Sequence, residues 1–489
     1  MPDVATWELR AAFARSLSDM YGREVPAYTT LLDVAHEVNS DVMAADPAAA
    51  QRLGSIDRVT AERHGAIRLG TPQELSQVAR VFGAIGMYPV GFYDLRDAGS
   101  SAIPVVSTAF RPVAADELAR NPFRVFTSVL TPGDRRFFSA DLQARLEEFL
   151  GRRRIFSPEL LALSGRAEAD GGLGSADAEQ FLSLATATFE LSPEPVDRAW
   201  YTELERVSAV AADIGGVAST HINHLTPRVL DIDALYERMS ARGITMIEDI
   251  QGPPRWDGPD VLLRQTSFRA LAEPRAFRTP DGEIVTDSLR VRFGEVEARG
   301  IALTRAGRAR YDAAIVEARE RAEASNEPDA VAGAPSGGMA GAAGGSRDST
   351  GRRSVAAGGT GGRSAEAGGP VGAAGSAAAV RRQEILREIW ARDFPRTEAE
   401  LDAEGLAYFS YDASDARTPI VYEDFLPASA AGIFASNLTD RGAKDSTQEA
   451  ATLDADWLAG ALGRDLLDPF DLYAAQSEAS RARPTEGPR

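Results

Sequence analysis

Four histidines occur in the 489-residue chain, and two of them, His221 and His224, fall within one short apolar stretch ending at Pro227 and Arg228. Imidazole is the commonest side-chain ligand for a transition metal. His224 and Arg228 stand four residues apart, as do His64 and Arg68 in His64-Gly65-Ala66-Ile67-Arg68. Each H-x-x-x-R lies in a run that reads as a strand with a helix signal after it. A third stretch, Ser288–Ala298, alternates Leu289, Val291 and Phe293 with arginines and continues the apolar phase into Glu295 and Glu297. An inward carboxylate is expensive unless it is paired or metal-bound. His64, His224 and Glu295 together would make the two-histidine, one-carboxylate facial triad of a non-haem Fe(II) centre, with three coordination positions open. His221 competes with His224. On a regular strand their odd separation sends the two side chains to opposite faces, and the repeat with His64 favours His224. Arg68 lies on the same face as His64, about 13 Å further along at ~3.3 Å per residue. Its planar fork suits a carboxylate of the ligand. The plainer alternatives are a buried ion pair for Glu295 and a structural arginine at 68.

Such side chains need strands to position them. Residues 1–60 read as helices, with Trp7, Leu9, Phe13 and Leu17 at helical spacing. Residues 61–130 read as a βαβββ module. Its strands are Glu62–Leu69, Tyr88–Leu95, Val105–Arg111 and Phe123–Leu130, and its helix opens at Thr71, Pro72 and Glu74. Residues 131–215 return to helical periodicity as an insertion, broken near Gly171 and Gly172. Residues 216–300 repeat the βαβββ order, with strands at His221–Pro227, Ile244–Ile250, Val261–Phe268 and Ser288–Ala298. A helix is expected in 301–328. The Gly/Ala/Ser-rich stretch 329–379 reads as a disordered insertion, because it buries too little apolar surface to offset its ordering entropy. Residues 380–489 form a C-terminal segment that completes the pocket, with a helix at Arg382–Arg392 and a site-forming loop at Val421–Phe434. The expected class is α+β: two βαβββ modules forming a central curved sheet around a metal site, with added helical segments.

Composition removes several other chemistries. With no cysteine, disulfides, thiolate nucleophiles and cysteine-ligated metal sites are excluded. Lys444 is the one lysine, and it sits in a polar run unsuited to Schiff-base chemistry. A formal charge of −19 opposes nucleic-acid binding. No run of eighteen apolar residues suggests a membrane span, and the N-terminus reads as neither leader nor anchor, so a cytoplasmic location is expected. Oligomeric state is open.

The motifs Glu62–Arg68, Gly91–Leu95, Ser107–Arg111, Pro122–Ser128, His221–Arg228, Leu263–Phe268, Arg292–Glu295 and Val421–Pro427 strongly resemble the 2-oxoadipate dioxygenase/decarboxylase family. That family is also called hydroxyglutarate synthase and belongs to the vicinal oxygen chelate superfamily. The resemblance covers nearly the whole chain except 329–379. It implies an Fe(II) enzyme of lysine catabolism that turns 2-oxoadipate and O2 into 2-hydroxyglutarate and CO2. It also implies metal ligation by His64, His224 and Glu295, a substrate carboxylate on Arg68, and a pocket lined by Ala428 and Ser429. Two departures stand out: the long Gly/Ala/Ser insertion, and alanine at 428 where the resemblance leads to valine, a change expected to loosen substrate selectivity. The competing functions are a metal-dependent isomerase or lyase that uses no O2, and a binding protein without turnover.

Overall fold

The central sheet is assembled around the strand Arg63–Leu69, of which residues 64–69 are all buried. Both faces are buried, so the polar side chains His64 and Arg68 are enclosed along with Ala66, Ile67 and Leu69. The computed structural model describes residues 2–98, 103–270, 272–290, 292–324, 371–437 and 444–482. In it, five strands lie in the order Tyr88–Asp94, Val105–Arg111, Arg124–Leu130, Arg63–Leu69, Ile222–Pro227. Arg63–Leu69 pairs parallel with Arg124–Leu130 and antiparallel with Ile222–Pro227. The parallel pairing demands a crossover, which begins with the helix Pro72–Gly83. Thr71 starts that helix by accepting from the Glu74 N–H at 3.1 Å, and Pro72 supplies a preset first turn. The strands expected in the first module therefore form within a residue or so of their expected bounds.

The mixed α+β class is the one observed, but the later strands differ from expectation. Ile222–Pro227 joins the first module's sheet, and Leu263–Ser267 pairs antiparallel with Glu295–Arg299. Ile244–Ile250 forms no strand, only an isolated bridge from Met246 to Phe268. Ser288–Ala298 is not one strand either. Ile284–Leu289 closes a hairpin with Glu273–Arg278, and the chain starts a fresh strand at Glu295. The break comes at Gly294, where a Cβ would meet the Phe268 ring at 2.2 Å, so only glycine allows so close a passage. The hairpin adds to Val196–Asp197 in a separate three-stranded sheet.

Helices Ala140–Gly151, Pro158–Asp170, Ser175–Thr188, Arg198–Glu205 and Ala209–Gly215 occupy the stretch expected to be helical. The break near 171 is real: Gly171 ends its helix at φ 73°, a left-handed cap. These helices share one hydrophobic core with the sheet and the N-terminal helix Thr6–Glu24, through Phe13, Phe82, Phe110 and Phe189. Residues 312–393 form a second unit, in which Glu317 pairs with Arg392 at 2.7 Å and Arg321 with Glu388 at 2.8 Å. The disorder expected over 329–379 is corrected at its end, where the helix Val371–Asp393 begins. Its first turns are alanine-rich, and alanine is the best helix former. Residues 329–370 lie outside the described residues. Among the described residues no helix is long and apolar enough to cross a membrane.

Candidate metal centre

His64, His224 and Glu295 come from three strands and converge, with one ligand atom of each lying within 4.8 Å of the others. In the antiparallel register His64 faces Thr226 and Ala66 faces His224. Directly opposed residues point to one face, so both imidazoles leave the sheet on the same side. The strand bearing Glu295 is tied alongside by the Val229 N–H, which donates to the Glu297 carbonyl at 2.8 Å. Tyr21, fully buried on the N-terminal helix, fixes the join. Its hydroxyl lies 3.0 Å from the Asn223 carbonyl oxygen and 2.8 Å from that of Phe293.

All three candidate ligands are buried, at 1%, 4% and 4% exposure for His64, His224 and Glu295. Glu295 stands between the histidines: its Oε2 is 3.5 Å from His64 Nε2 and its Oε1 3.2 Å from His224 Nδ1. Neither ring nitrogen of His224 has a hydrogen-bond partner among the described residues, despite the 3.2 Å approach of Glu295. A buried imidazole with both nitrogens unsatisfied is costly. A divalent cation shared with Glu295 and His64 relieves that cost at one of the two nitrogens, and two imidazoles with one carboxylate are a donor set suited to non-haem iron.

The electrostatics differ among the three. Burial, followed by the charge of His64, holds His224 well below the ordinary histidine range, so it stays a neutral donor. Burial pushes the Glu295 carboxyl up against the opposing pull of His64. His64 moves the other way: burial opposes its protonation, but the Glu297 charge and contacts with both glutamates raise it.

His221 departs from expectation. The pairing of Arg63–Leu69 with its neighbour shifts between Ala66 and Ile67, so that Asn223 has no partner of its own. Such a bulge sets two residues against one and cancels the odd–even rule that sent His221 away from His224. His221 Nε2 instead lies 3.3 Å from Asp213 Oδ1, and Arg68 Nη1 donates to Asp213 Oδ2 at 2.5 Å. Asn223 Nδ2 completes the group at 3.0 Å from the same Oδ2. His221 thus sits beside Arg68's anchor and outside the ligand set. Burial lowers it to about 4, with Asp213 pulling the other way.

Arg68 is buried, and its positive charge acts on both His224 and Glu295. Ser429 is buried in the helix Pro427–Asn437. That helix is tethered to the site where Asn437 Nδ2 donates to Ser267 Oγ at 2.7 Å, Ser267 being the cross-strand partner of Glu295. Ala428 belongs to the same helix, and its side chain lies outside the described residues.

Sequence reasoning missed the buried ion network behind the triad. Glu297 lies 2.9 Å from His64 Nδ1 and accepts both arms of the Arg299 fork at 2.8 Å. Arg124 reaches Glu297 at 3.2 Å and Glu423 at 2.6 Å, and also pairs with Glu62. Glu62 takes Arg228 at 2.9 Å, and Arg58 pairs with Glu423. The available signal was the run Glu295-Val296-Glu297-Ala298-Arg299, which at period two puts three charges on one buried face. Arg228, which shares the spacing of Arg68, is a buried partner of Glu62.

A family model described as 2-oxoadipate dioxygenase/decarboxylase matches residues 13–337 and 365–437. The gap between the two matched segments falls inside the Gly/Ala/Ser-rich stretch. A 2-oxoadipate dioxygenase/decarboxylase of Mycobacterium tuberculosis (strain H37Rv) is 54% identical over 478 residues, covering 98% of each chain. One of Pseudomonas putida is 38% identical over 503 residues, covering 97% of this chain and 95% of its own. The crystal structure of the hydroxyglutarate synthase from Pseudomonas putida in complex with 2-oxoadipate matches with a TM-score of 0.76 at 36% identity, over 98% of this chain and 97% of that one.

Proposed function

This chain belongs to the 2-oxoadipate dioxygenase/decarboxylase family, and from that premise we propose that it is an Fe(II) enzyme converting 2-oxoadipate and O2 into 2-hydroxyglutarate and CO2. Every carbon of the substrate and both atoms of O2 appear in the two products, so no further reductant is needed. The observation that carries the reading is the buried triad, in which His224 has two unsatisfied ring nitrogens beside Glu295 and His64.

His64, His224 and Glu295 would hold the iron, which when bound offers open positions for a chelating 2-oxo acid and for O2. Arg68 binds the far carboxylate and keeps the substrate chain pointed at the metal, an orientation effect. Asp213 holds the Arg68 guanidinium in place through their 2.5 Å ion pair. Phe425 and Phe293 pack against the His64 and His224 rings at 4.9 and 5.2 Å and keep water from that side. Ser429, with Ala428 next to it, belongs to the pocket wall. The reading extends to the setting: a step of lysine degradation in the cytoplasm.

An oxygen electrode tests the reading. Protein loaded with Fe(II) consumes one O2 for each 2-oxoadipate and releases one CO2 and one 2-hydroxyglutarate. Undiminished turnover under argon would overturn it in favour of a Lewis-acid isomerase or lyase. No turnover at all would favour a binding protein.

A further inference from the structure

On the strand Glu295–Arg299 the side chains at 295, 297 and 299 share one buried face, at 4%, 0% and 4% exposure. Glu295 is a candidate ligand. Glu297 stands one step behind it, with Oε2 2.9 Å from His64 Nδ1. Arg299 stands one step further back and grips both Glu297 oxygens, Nε to Oε1 and Nη2 to Oε2, each at 2.8 Å. The remaining Arg299 nitrogen, Nη1, donates to the carbonyls of Tyr422 and Asp424, both at 2.9 Å. The guanidinium carbon also sits 5.8 Å from the centre of the Phe425 ring, and that ring packs edge-on to His64 at 4.9 Å. The contacts close a circuit: His64, Glu297, Arg299, the backbone of 422–424, Phe425, and back to His64.

We infer that Glu297 and Arg299 are positioning residues: Glu297 fixes the His64 ring so that Nε2 faces the metal, and Arg299 locks that orientation to the segment leading into the helix of Ser429. This rests on the metal reading proposed above. An imidazole that gives Nε2 to a metal carries its proton on Nδ1 and needs an acceptor there. Glu297 Oε2, 2.9 Å away, is the oxygen placed to serve there, although the contact as it stands is not aligned as a hydrogen bond, and the Arg299 fork fixes that carboxylate in rotation. Among the described residues His224 has no second carboxylate behind it; it is held by packing against Phe293 at 5.2 Å and His64 at 5.4 Å. The two histidines are therefore unequal, one braced by a carboxylate and one braced by rings. Arg299 joins the site to its wall because one side chain spans both.

The test titrates Co(II) alone into metal-free protein and follows its visible spectrum, with thermal unfolding measured alongside. Glu297→Gln keeps the shape and removes the charge. Loss of an outer partner of this kind costs about 10–100-fold in metal affinity, and that is the expected result for folded E297Q. Arg299→Lys keeps the charge but cannot make the fork and both carbonyl contacts. It is expected to weaken Co(II) several-fold and, once metal is saturating, to raise KM for 2-oxoadipate. Should E297Q not fold, R299K carries the test. Folded variants that bind Co(II) within twofold of the parent, with only a lower melting temperature, would overturn the inference and leave the network purely structural. The readout is independent of the oxygenase reading: failure of the parent to consume O2 would sink that reading while leaving the affinity result intact.

Discussion

Arg68 permits a decisive experiment because its proposed partner is one end of the substrate. Arg68→Met removes the guanidinium and keeps an unbranched stem. The ion pair with Asp213 at 2.5 Å engages one guanidinium nitrogen, Nη1. A hydrogen bond to a charged group is worth about 1.5–3 kcal/mol, and with one nitrogen shared with Asp213 a total near 2–3 kcal/mol is expected from the grip on the far carboxylate. At about 1.4 kcal/mol per tenfold, kcat/KM for 2-oxoadipate should fall roughly 30- to 150-fold. The comparison substrate is 2-oxohexanoate, which has the same carbon chain without the far carboxylate. It should be a poor substrate of the parent enzyme and lose less than about threefold in R68M. Removing Arg68 also strands the buried Asp213 charge, which costs about 3 kcal/mol or more in stability. That cost cancels in the ratio of the two substrates, since both are measured on one preparation by O2 uptake. Equal losses for the two would refute the assignment and return Arg68 to a structural role.

Three further outcomes follow from the geometry. Replacing His64, His224 or Glu295 by alanine should each lower O2 consumption more than about 100-fold and reduce bound iron measured after anaerobic purification, since each removes one of three ligands. Gly294→Ala should destabilise by about 1–3 kcal/mol, the cost of overpacking, in urea unfolding, because the new methyl meets the Phe268 ring at 2.2 Å next to Glu295. The pH dependence of stability should carry a His221 component. Its folded value is about 4 and its unfolded value near 6.5, so the unfolded state takes up the proton first. Stability from this group is then full above pH 6.5 and declines as pH falls toward 4, by about 1.4 kcal/mol between pH 8 and 5.5. His221→Asn should lack that decline relative to the parent; parallel pH profiles would show that His221 is not buried as a neutral group.

The parts of the site that a reader could take from the sequence are those written in local periodicity. His64 and His224 share a spacing and a strand-then-helix context, and Glu295 and Glu297 continue an apolar phase where carboxylates do not belong. What the sequence hid depends on partners far away or on backbone detail. The register shift that brings His221 to Asp213 is a bulge at Asn223, and alternation presumes a regular strand. Asp213 itself sits at the end of a helix, 145 residues from the Arg68 it holds. Arg124 and Glu423 are 299 residues apart, and each alone reads as a surface charge. Phe293 and Glu295 keep one alternation although the strand begins only at Glu295, so the phase was informative even where the element was misplaced.

The buried charges also bear on which ligand the centre selects. Around His64 the guanidinium groups of Arg58, Arg124, Arg228 and Arg299 pair with the carboxylates of Glu62, Glu297 and Glu423, and the fourth carboxylate, Glu295, lies against His64 itself. Arg68 with Asp213, and Arg111 with Asp424, are each balanced as well. The protein part is therefore close to electrically neutral, and a divalent ion in the triad leaves an excess of two positive charges in a place where burial makes any imbalance expensive. A dicarboxylate restores neutrality with its two negative charges, one carboxylate near the metal and one at Arg68; a monocarboxylate of equal length does not. In R68M the unpaired Asp213 cuts the excess to one, which a monocarboxylate already offsets, so discrimination between 2-oxoadipate and 2-oxohexanoate should largely disappear. At saturating metal it should return in part when Glu297→Gln is added, because that substitution brings the excess back to two. Discrimination that stays lost in the double variant would show that the far carboxylate is recognised by Arg68 and by nothing else in the site.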